Sequence, residues 1–203
     1  KFDHCKAIGW YVDEYTRAQV SVNLTNYKET GIHEVYEFAR DRARKMGVRV
    51  TGSEIVGLAP YDTLLKTGKY YLEKQRESTG IPEKDIIESA IQSLGLRDVA
   101  EFNPDEKLIG GPITYDDALV EMKVDEFVHE VSRDSSTPGG GSIAALSGSL
   151  GAALTSMVSN LSTGGRGTAE IDPILMPIAD KAQELKDKLL KAVDEDTNAY
   201  DRY

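Results

Sequence analysis

The feature that most limits the fold of this chain is an uncharged run of 21 residues, Ile143 to Thr163, which directly follows the turn residues Gly139 to Ser142. Its apolar residues recur at helical spacing, so we predict a glycine-rich turn that leads into one long helix. The run is also as long as a membrane span. We expect no span, because serines and threonines make the run too polar and no cluster of lysine or arginine flanks either end.

The predicted helix has two unlike faces. One face is apolar and is expected to build a core; it carries Ile143, Leu146, Leu150, Leu154, Met157 and Leu161. The other face is made of small residues: Ala144, Gly148, Gly151, Ala152 and Thr155. A glycine inside a helix costs about 1 kcal/mol of stability, and close approach of a second helix would explain why this helix contains two of them. We therefore predict a tightly packed helical bundle that self-associates.

Composition places the chain among soluble globular proteins and argues against several functions. With 203 residues, 40% of them hydrophobic and 29% charged, it can bury one good core or two modest ones. A net charge of −10 argues against nucleic acid as a partner. The single cysteine, Cys5, excludes an internal disulfide, and three scattered histidines offer no metal-ligand spacing. Since no signal or transit peptide opens the sequence, we expect a cytoplasmic protein.

The chain begins with an alternating pattern that is typical of strands. Two such runs, Ile8 to Val12 and Ala18 to Leu24, are separated by polar residues and predict a hairpin. Apolar residues then recur at helical spacing, with Thr30 as the expected N-cap and Gly47 as the expected stop. The first helix is therefore predicted between those two residues.

Strands and helices continue to alternate up to residue 109. The β-branched run from Val48 to Leu58 predicts a strand or two, and helices are expected to begin near Pro60 and near Pro82. The alternation predicts an α/β sandwich subdomain, with a mixed sheet and helices on one side.

A breaker cluster at Gly110-Gly111-Pro112 marks the end of this first part. We predict one domain over 1–109, a linker over 110–122 and a truncated all-α bundle over 123–203, so the fold class is α+β. Lys1 to Lys6 leave no room for a preceding element, and Asp194 to Tyr203 look like the middle of a helix. We therefore expect these residues to come from a longer polypeptide.

The turn Pro138-Gly139-Gly140-Gly141-Ser142 is a candidate binding site. Glycines allow the main chain to approach a ligand closely and to take positive φ, and a helix N-terminus favours an anion. A flexible turn capped by Ser142 explains the pattern equally well. A nucleotide phosphate is poorly supported, because neither a Gly-Lys-Ser/Thr sequence nor a G-x-G-x-x-G spacing is present.

The segments Asp134 to Gly148 and Gly151 to Val158 resemble the start of the cyclodeaminase/cyclohydrolase family. The resemblance implies an all-α homodimeric bundle that releases ammonia from 5-formimidoyltetrahydrofolate and forms 5,10-methenyltetrahydrofolate; some relatives hydrolyse the methenyl compound instead. The family's proposed acid/base aspartate lies in a motif similar to Val193 to Tyr200, which makes Asp196 or Asp194 the candidate. A carboxylate suits a reaction that moves protons, although an acidic run on a helix is more often an exposed face.

The first part of the chain resembles the C-terminal subdomain of formiminotransferase, on the segments Ile8 to Glu14, Ala18 to Leu24 and Val50 to Pro60. The resemblance implies a groove that binds folate and formiminoglutamate, and Ser53 and Glu54 are candidates to line it, although strand-edge packing explains them equally well.

The catalytic histidine that this family implies belongs to a subdomain absent from the sequence, so these residues are not expected to catalyse transfer alone. His33 and His129 are expected to be packing or surface histidines.

Three functional hypotheses follow. The first, implied by both resemblances together, is a part of a bifunctional formimidoyltransferase-cyclodeaminase that uses tetrahydrofolate as co-substrate and no metal, in histidine degradation. The second keeps the fold and is a methenyltetrahydrofolate cyclohydrolase. The third is a folate-binding or subunit-interaction module without turnover of its own.

Overall fold

The computed structural model of this chain describes residues 2–14, 16–111 and 119–200. These residues form two compact units, Lys1–Lys74 with Glu83–Gly111, and Gln75–Pro82 with Pro112–Tyr203. Residues 112–118, which hold most of the predicted linker, lie outside the described residues. The predicted α+β class is confirmed, because the first unit contains strands and helices and the second is helical.

The first unit opens with a hairpin and a helix. Strands β1 (Cys5–Val12) and β2 (Arg17–Leu24) pair antiparallel, with Ile8 opposite Ser21 and Trp10 opposite Gln19, so the predicted hairpin is confirmed. Helix α1 (Ile32–Lys45) follows, and Gly47 takes φ +76° after its end, as the predicted stop requires.

Thr30 is not the N-cap of α1, so that prediction was wrong. The cap is Gly31, whose N–H donates to Glu34 Oε2 at 2.6 Å. Thr30 is buried instead, and its hydroxyl donates to the carbonyl of Asp3 at 2.6 Å. Its side chain is therefore used to hold the N-terminal segment and not the helix start.

The strands predicted between Val48 and Leu58 are absent from the described structure. Strand β3 (Ala59–Pro60) follows this segment and pairs in parallel with β4 (Leu108–Ile109). The described residues therefore form two separate pairs of strands, β1 with β2 and β3 with β4, instead of one mixed sheet. A strand needs a neighbouring strand for its backbone hydrogen bonds, and no described strand lies beside this segment. Its residue Val56 is accordingly 86% exposed. Ser53 donates its backbone N–H to Gly95 O at 3.3 Å, so the segment bonds to a helix end.

The core of the first unit lies on helices α2 (Tyr61–Gln75) and α3 (Glu83–Leu94). Its buried residues come from these helices and the segment after them, which contains the short helix α4 (Pro104–Lys107): Leu64, Tyr71, Ile87, Ala90, Ile91, Leu94, Leu96 and Phe102. Gly68 lets the helices approach, because a Cβ there would lie 2.0 Å from the carbonyl oxygen of Ile86.

The second unit is helical throughout its described elements. A 3₁₀ turn, Leu119–Glu121, precedes α5 (Val124–Val131), α6 (Gly140–Leu161) and α7 (Asp172–Tyr200). The helices predicted from the sequence are confirmed here. Helix α6 is long and apolar enough to cross a bilayer by length and composition alone, which is weak evidence, since a core helix of a soluble protein has the same properties.

Helices α6 and α7 are joined by a line of serine hydroxyls, which we call the serine ladder: Ser142, Ser149 and Ser156. Ser142 Oγ donates to the carbonyl of Val193 at 2.8 Å, and Ser149 Oγ donates to that of Lys186 at 3.0 Å. Ser156 Oγ accepts from Gln183 Nε2 at 2.9 Å. Because the partners descend along α7 as the serines ascend along α6, the two helices are antiparallel.

The apolar face of α6 does not build the core of the described unit, which corrects the prediction. Leu150, Leu154, Met157 and Leu161 are 59%, 58%, 50% and 79% exposed, whereas the serines of the ladder are at most 4% exposed. A small hydroxyl can reach a backbone carbonyl across the interface, and a leucine at the same position would hold the helices apart. Only the first part of this face, Ile143 and Leu146, packs onto buried residues, among them Phe127 and Val193.

Replacing a serine of the ladder with a large side chain should destabilise the second unit. We expect Ser149→Leu to lower the free energy of unfolding by about 1–3 kcal/mol, because the added side chain overpacks a close helix interface. Urea denaturation followed by helical circular dichroism measures it. The control is Ser147→Leu, since Ser147 is exposed and bonds within its own helix; equal stabilities for the two variants would contradict the ladder.

Candidate functional site

The glycine-rich turn delivers the chain to the N-terminus of α6. Gly139 is the N-cap, with φ −95° and ψ −173° and no side-chain cap, and its carbonyl accepts from Ile143 N–H at 3.3 Å. Gly140 and Gly141 are the first residues of the helix, and none of the three glycines has positive φ. The positive φ that glycine permits is therefore not used at this turn.

The N-terminus of α6, where an anion was predicted to bind, lies beside the carboxylate of Asp196. Asp196 Oδ2 accepts a hydrogen bond from Ser142 N–H at 2.9 Å, and Ser142 Oγ lies 3.3 Å from the same oxygen. Backbone N–H groups and the helix dipole both favour negative charge at this point. Two features that the sequence identified separately, the turn and the acidic run, thus meet in the structure.

Only one of the three glycines is required by this close approach. A Cβ on Gly141 would lie 2.2 Å from Asp196 Oδ1, which is far inside contact distance. A Cβ on Gly140 would meet nothing within 4 Å, and one on Gly139 would be 3.7 Å from the carbonyl oxygen of Ser136. Gly141 therefore allows the carboxylate to lie beside the backbone.

The two aspartates singled out from the sequence have different partners. Asp194 is half-buried, and its Oδ1 accepts the N–H of Leu119 at 2.7 Å, so it holds the 3₁₀ turn against α7. Asp196 is exposed, and its Oδ1 accepts no hydrogen bond from the residues that the structure describes. Glu195, between them, forms an exposed ion pair with Lys191 at 3.0 Å. Of these three acidic residues, only Asp196 is both held by a backbone hydrogen bond and exposed to solvent.

The Ser142 side chain is inside the helix pair and not on its surface. It is 0% exposed, and its Oγ lies 2.8 Å from Val193 O and 3.1 Å from Thr197 Oγ1. Sequence reasoning did not single out Thr197. The sequence could have pointed to Thr197 only by its position, since it follows Val193 by one helical turn and therefore lies on the same face of α7, the face that packs against Ser142. Pro138 precedes the helix, and its peptide bond with Thr137 is cis.

Ser53 and Glu54 both have structural partners within the first unit. Ser53 Oγ donates to the carbonyl of Leu94 at 2.7 Å, and Glu54 accepts from Gln19 Nε2 at 2.9 Å. These bonds fix the segment between α1 and β3. They support the packing interpretation of the two residues, and a groove-lining role stays a prediction.

The two histidines considered as bases are accounted for by packing and exposure, as predicted. His33 is 6% exposed and stacks on Tyr70 with ring centroids 4.4 Å apart. Its burial lowers its pKa from the ordinary value. His129 lies on the exposed side of α5. Within residues 2–14, 16–111 and 119–200, no group of three or more His, Cys, Asp or Glu side chains could hold a metal ion.

Two family models match the chain. The model described as Formiminotransferase domain matches residues 1–114, and the model described as Formiminotransferase-cyclodeaminase matches residues 123–203. The two matches follow one another in the order of the two resemblances read from the sequence.

Curated relatives match along almost the whole chain. The formimidoyltransferase-cyclodeaminase of Rattus norvegicus is 35% identical over 201 residues, which are 96% of this chain and 36% of that protein. The protein of the same name from Dictyostelium discoideum is 39% identical over 98% of this chain and 37% of its own length. A methenyltetrahydrofolate cyclohydrolase of Methylorubrum extorquens is 36% identical over 78 residues, 38% of each chain.

The chain thus spans just over a third of the length of the formimidoyltransferase-cyclodeaminases it matches. The formiminotransferase model alone covers more than half of the chain, and the second model covers most of the remainder. By the first of these matches the chain belongs to the formiminotransferase family, and its residues 123–203 are similar to the formiminotransferase-cyclodeaminase model.

Proposed function

We propose that the native polypeptide carrying these residues transfers the formimino group of formiminoglutamate to tetrahydrofolate and then cyclises the product to 5,10-methenyltetrahydrofolate with release of ammonia. The names of the relatives matched over 96–98% of the chain support both steps. The structural observation that carries the second step is the carboxylate of the exposed residue Asp196, held beside Gly141 and Ser142 with no hydrogen bond to its Oδ1 from the residues that the structure describes.

Cyclisation needs one group that moves a proton between two nitrogens. N10 of the folate attacks the carbon of the protonated formimino group, –CH=NH2+, and forms the N10–C bond while the C=N π electrons move onto that nitrogen as –NH2; the N10 proton must then leave. The former imino nitrogen must gain a proton before its bond to carbon breaks and ammonia departs. A single carboxylate can accept the first proton and deliver it to the leaving amine, which gives the methenyl bridge without any further reagent.

Asp196 fits this role better than Asp194. The Oδ1 of Asp194 is occupied by a backbone N–H at 2.7 Å, and that bond holds the fold together. Asp196 has its Oδ2 fixed by Ser142 and leaves Oδ1 for a ligand. A general acid/base must lie within hydrogen-bond reach of its substrate, and a carboxylate on an exposed residue with a fixed orientation meets that requirement.

We also propose that the first unit binds the folate and formiminoglutamate of the transfer step without catalysing it alone. Its match to the formiminotransferase model supports this assignment. Tetrahydrofolate is then a co-substrate of both steps.

The exposed apolar face of α6 supports self-association. Leu150, Leu154, Met157 and Leu161 form one line along the helix, each at least half exposed. A contiguous apolar surface of this kind marks an interface in soluble proteins. We propose that a second subunit covers it.

A second candidate function is methenyltetrahydrofolate cyclohydrolase, favoured by the 36% identity to the protein of that name over 78 residues. The match of residues 1–114 to the formiminotransferase model favours the first proposal, because a cyclohydrolase has no use for a transferase unit.

Asp196→Asn should lower the rate of cyclisation by about 100-fold or more, because a general acid/base contributes at least that factor. Asp194→Asn is the matched control, since an asparagine oxygen can still accept the Leu119 N–H, and it should turn over near the wild-type rate. Both are measured with 5-formimidoyltetrahydrofolate, by methenyl absorbance and ammonia release. Normal turnover by Asp196→Asn would remove Asp196 from the mechanism.

Gly141→Ala should reduce cyclisation by about 100-fold, because its Cβ displaces the carboxylate and a misplacement of about 1 Å can cost that factor. Gly140→Ala is the control, since its Cβ meets nothing within 4 Å. The same assay measures both, with circular dichroism to check helicity. If the two alanine variants are equally active, the close approach of Asp196 has no part in catalysis.

Leu154→Lys should weaken self-association, because it places a charge in the middle of the apolar line. Sedimentation velocity over a range of concentrations measures the change. Thr155→Lys is the control, since Thr155 is exposed on another side of the same helix and bonds within it. A second subunit does not bind this face if both variants assemble like the wild type.

A further inference from the structure

The surroundings of Asp196 contain a pair of hydroxyl groups, those of Ser142 and Thr197, that take no part in the proposed proton transfer. Ser142 Oγ lies 2.8 Å from Val193 O, 3.1 Å from Thr197 Oγ1 and 3.3 Å from Asp196 Oδ2. Ser142 is fully buried, so these groups and not bulk water satisfy its hydroxyl. One small group therefore connects the backbone of α7, a second hydroxyl and the carboxylate.

The role of Thr197 follows from the number of protons that the Ser142 hydroxyl can donate. A serine hydroxyl has one proton and two acceptor lone pairs, so Ser142 cannot donate fully to Val193 O and Asp196 Oδ2 at once. The Ser142–Val193 contact is the shorter, at 2.8 Å against 3.3 Å for Asp196. A Thr197 hydroxyl that donates to Ser142 Oγ fills a lone pair and polarises the Ser142 O–H, since successive hydrogen bonds strengthen one another.

We propose that Thr197 is a positioning residue for Asp196, acting through Ser142. Its hydroxyl fixes the rotation of the buried Ser142 hydroxyl. Ser142 then holds Oδ2 of Asp196 by its N–H at 2.9 Å and by a weaker contact from its Oγ at 3.3 Å, whose proton is shared with Val193 O. The carboxylate keeps one orientation, in which Oδ1 faces the substrate. This inference rests on the proposed cyclisation, because an exposed carboxylate that moves no proton would gain nothing from being oriented.

The geometry also explains why an exposed side chain needs such support. Asp196 is exposed on α7, where water competes with Ser142 for its carboxylate. The N–H of Ser142 alone leaves the carboxyl plane free to rotate about one hydrogen bond. A second contact on the same oxygen restricts that rotation, and rates of bound reactions depend strongly on orientation.

The test compares Thr197→Val with Thr197→Ser in the native polypeptide. Valine keeps the shape of threonine and removes the hydroxyl, whereas serine keeps the hydroxyl and removes the methyl group. With 5-formimidoyltetrahydrofolate as substrate, we expect Thr197→Val to lower kcat roughly tenfold at unchanged KM, the effect of one lost hydrogen bond. Thr197→Ser should restore kcat. A serine variant as slow as the valine variant, or a rise in KM alone, overturns the proposal.

A double variant asks whether Thr197 acts through Asp196. In an Asp196→Asn background, Thr197→Val should produce no further loss of kcat, because the group it positions is gone. An additional tenfold loss would mean that Thr197 acts elsewhere and would overturn the proposal.

Amide hydrogen exchange at Ser142 separates this proposal from the proposed function. If Asp196→Asn proves fully active, the acid/base assignment fails, but Thr197→Val should still speed exchange of the Ser142 N–H if Thr197 holds Ser142 against Asp196. Unchanged exchange overturns the positioning. If Thr197→Val unfolds, as thermal denaturation would reveal, Thr197→Ala replaces it in the same measurements.

Discussion

Hydrogen bonds from serine side chains of one helix to backbone carbonyls of another set the register on which the second unit depends. Ser142 bonds to Val193 and Ser149 to Lys186, so a step of seven residues along α6 corresponds to a step of seven back along α7. With this register fixed, Asp196 arrives beside Gly141. A slip of one turn would move the carboxylate by about 5.4 Å and remove it from the turn. The candidate site is therefore a product of helix register.

Much of the fold could be predicted because its signals are local. The hairpin of β1 and β2 followed from alternation, α1 and α6 followed from helical spacing, and Gly47 marked the stop of α1. The segment from Val48 to Leu58 could not be assigned correctly in the same way. Its β-branched residues favour an extended chain, but a strand also needs a neighbour, and the backbone bond of this segment from Ser53 goes to the end of α3.

The candidate site was predictable in its parts and not in its assembly. The glycines suggested an anion at the start of α6, and the resemblance pointed to Asp194 or Asp196, but no sequence rule brings residue 196 to residue 141. Periodicity also assigned the wrong face of α6 to the interior, since it measures where apolar residues lie and not which face finds a partner. The buried face could have been recognised from serines spaced seven residues apart, since Ser142 and Ser149 donate to backbone carbonyls of α7. A search for hydrophobic patterns does not detect such residues.

The acceptors of Ser142 and Ser149 in the serine ladder belong to the main chain of α7, and at these two contacts this makes the two sides of the helix pair unequal in their tolerance of mutation. Every residue type has a carbonyl, so an exchange of the side chain at Lys186 leaves the acceptor for Ser149 in place. No such freedom exists on α6, where the hydroxyl itself is the donor. Variation in a library of sequences for this helix pair is thus expected to accumulate on α7 at such positions, while the serines opposite them persist.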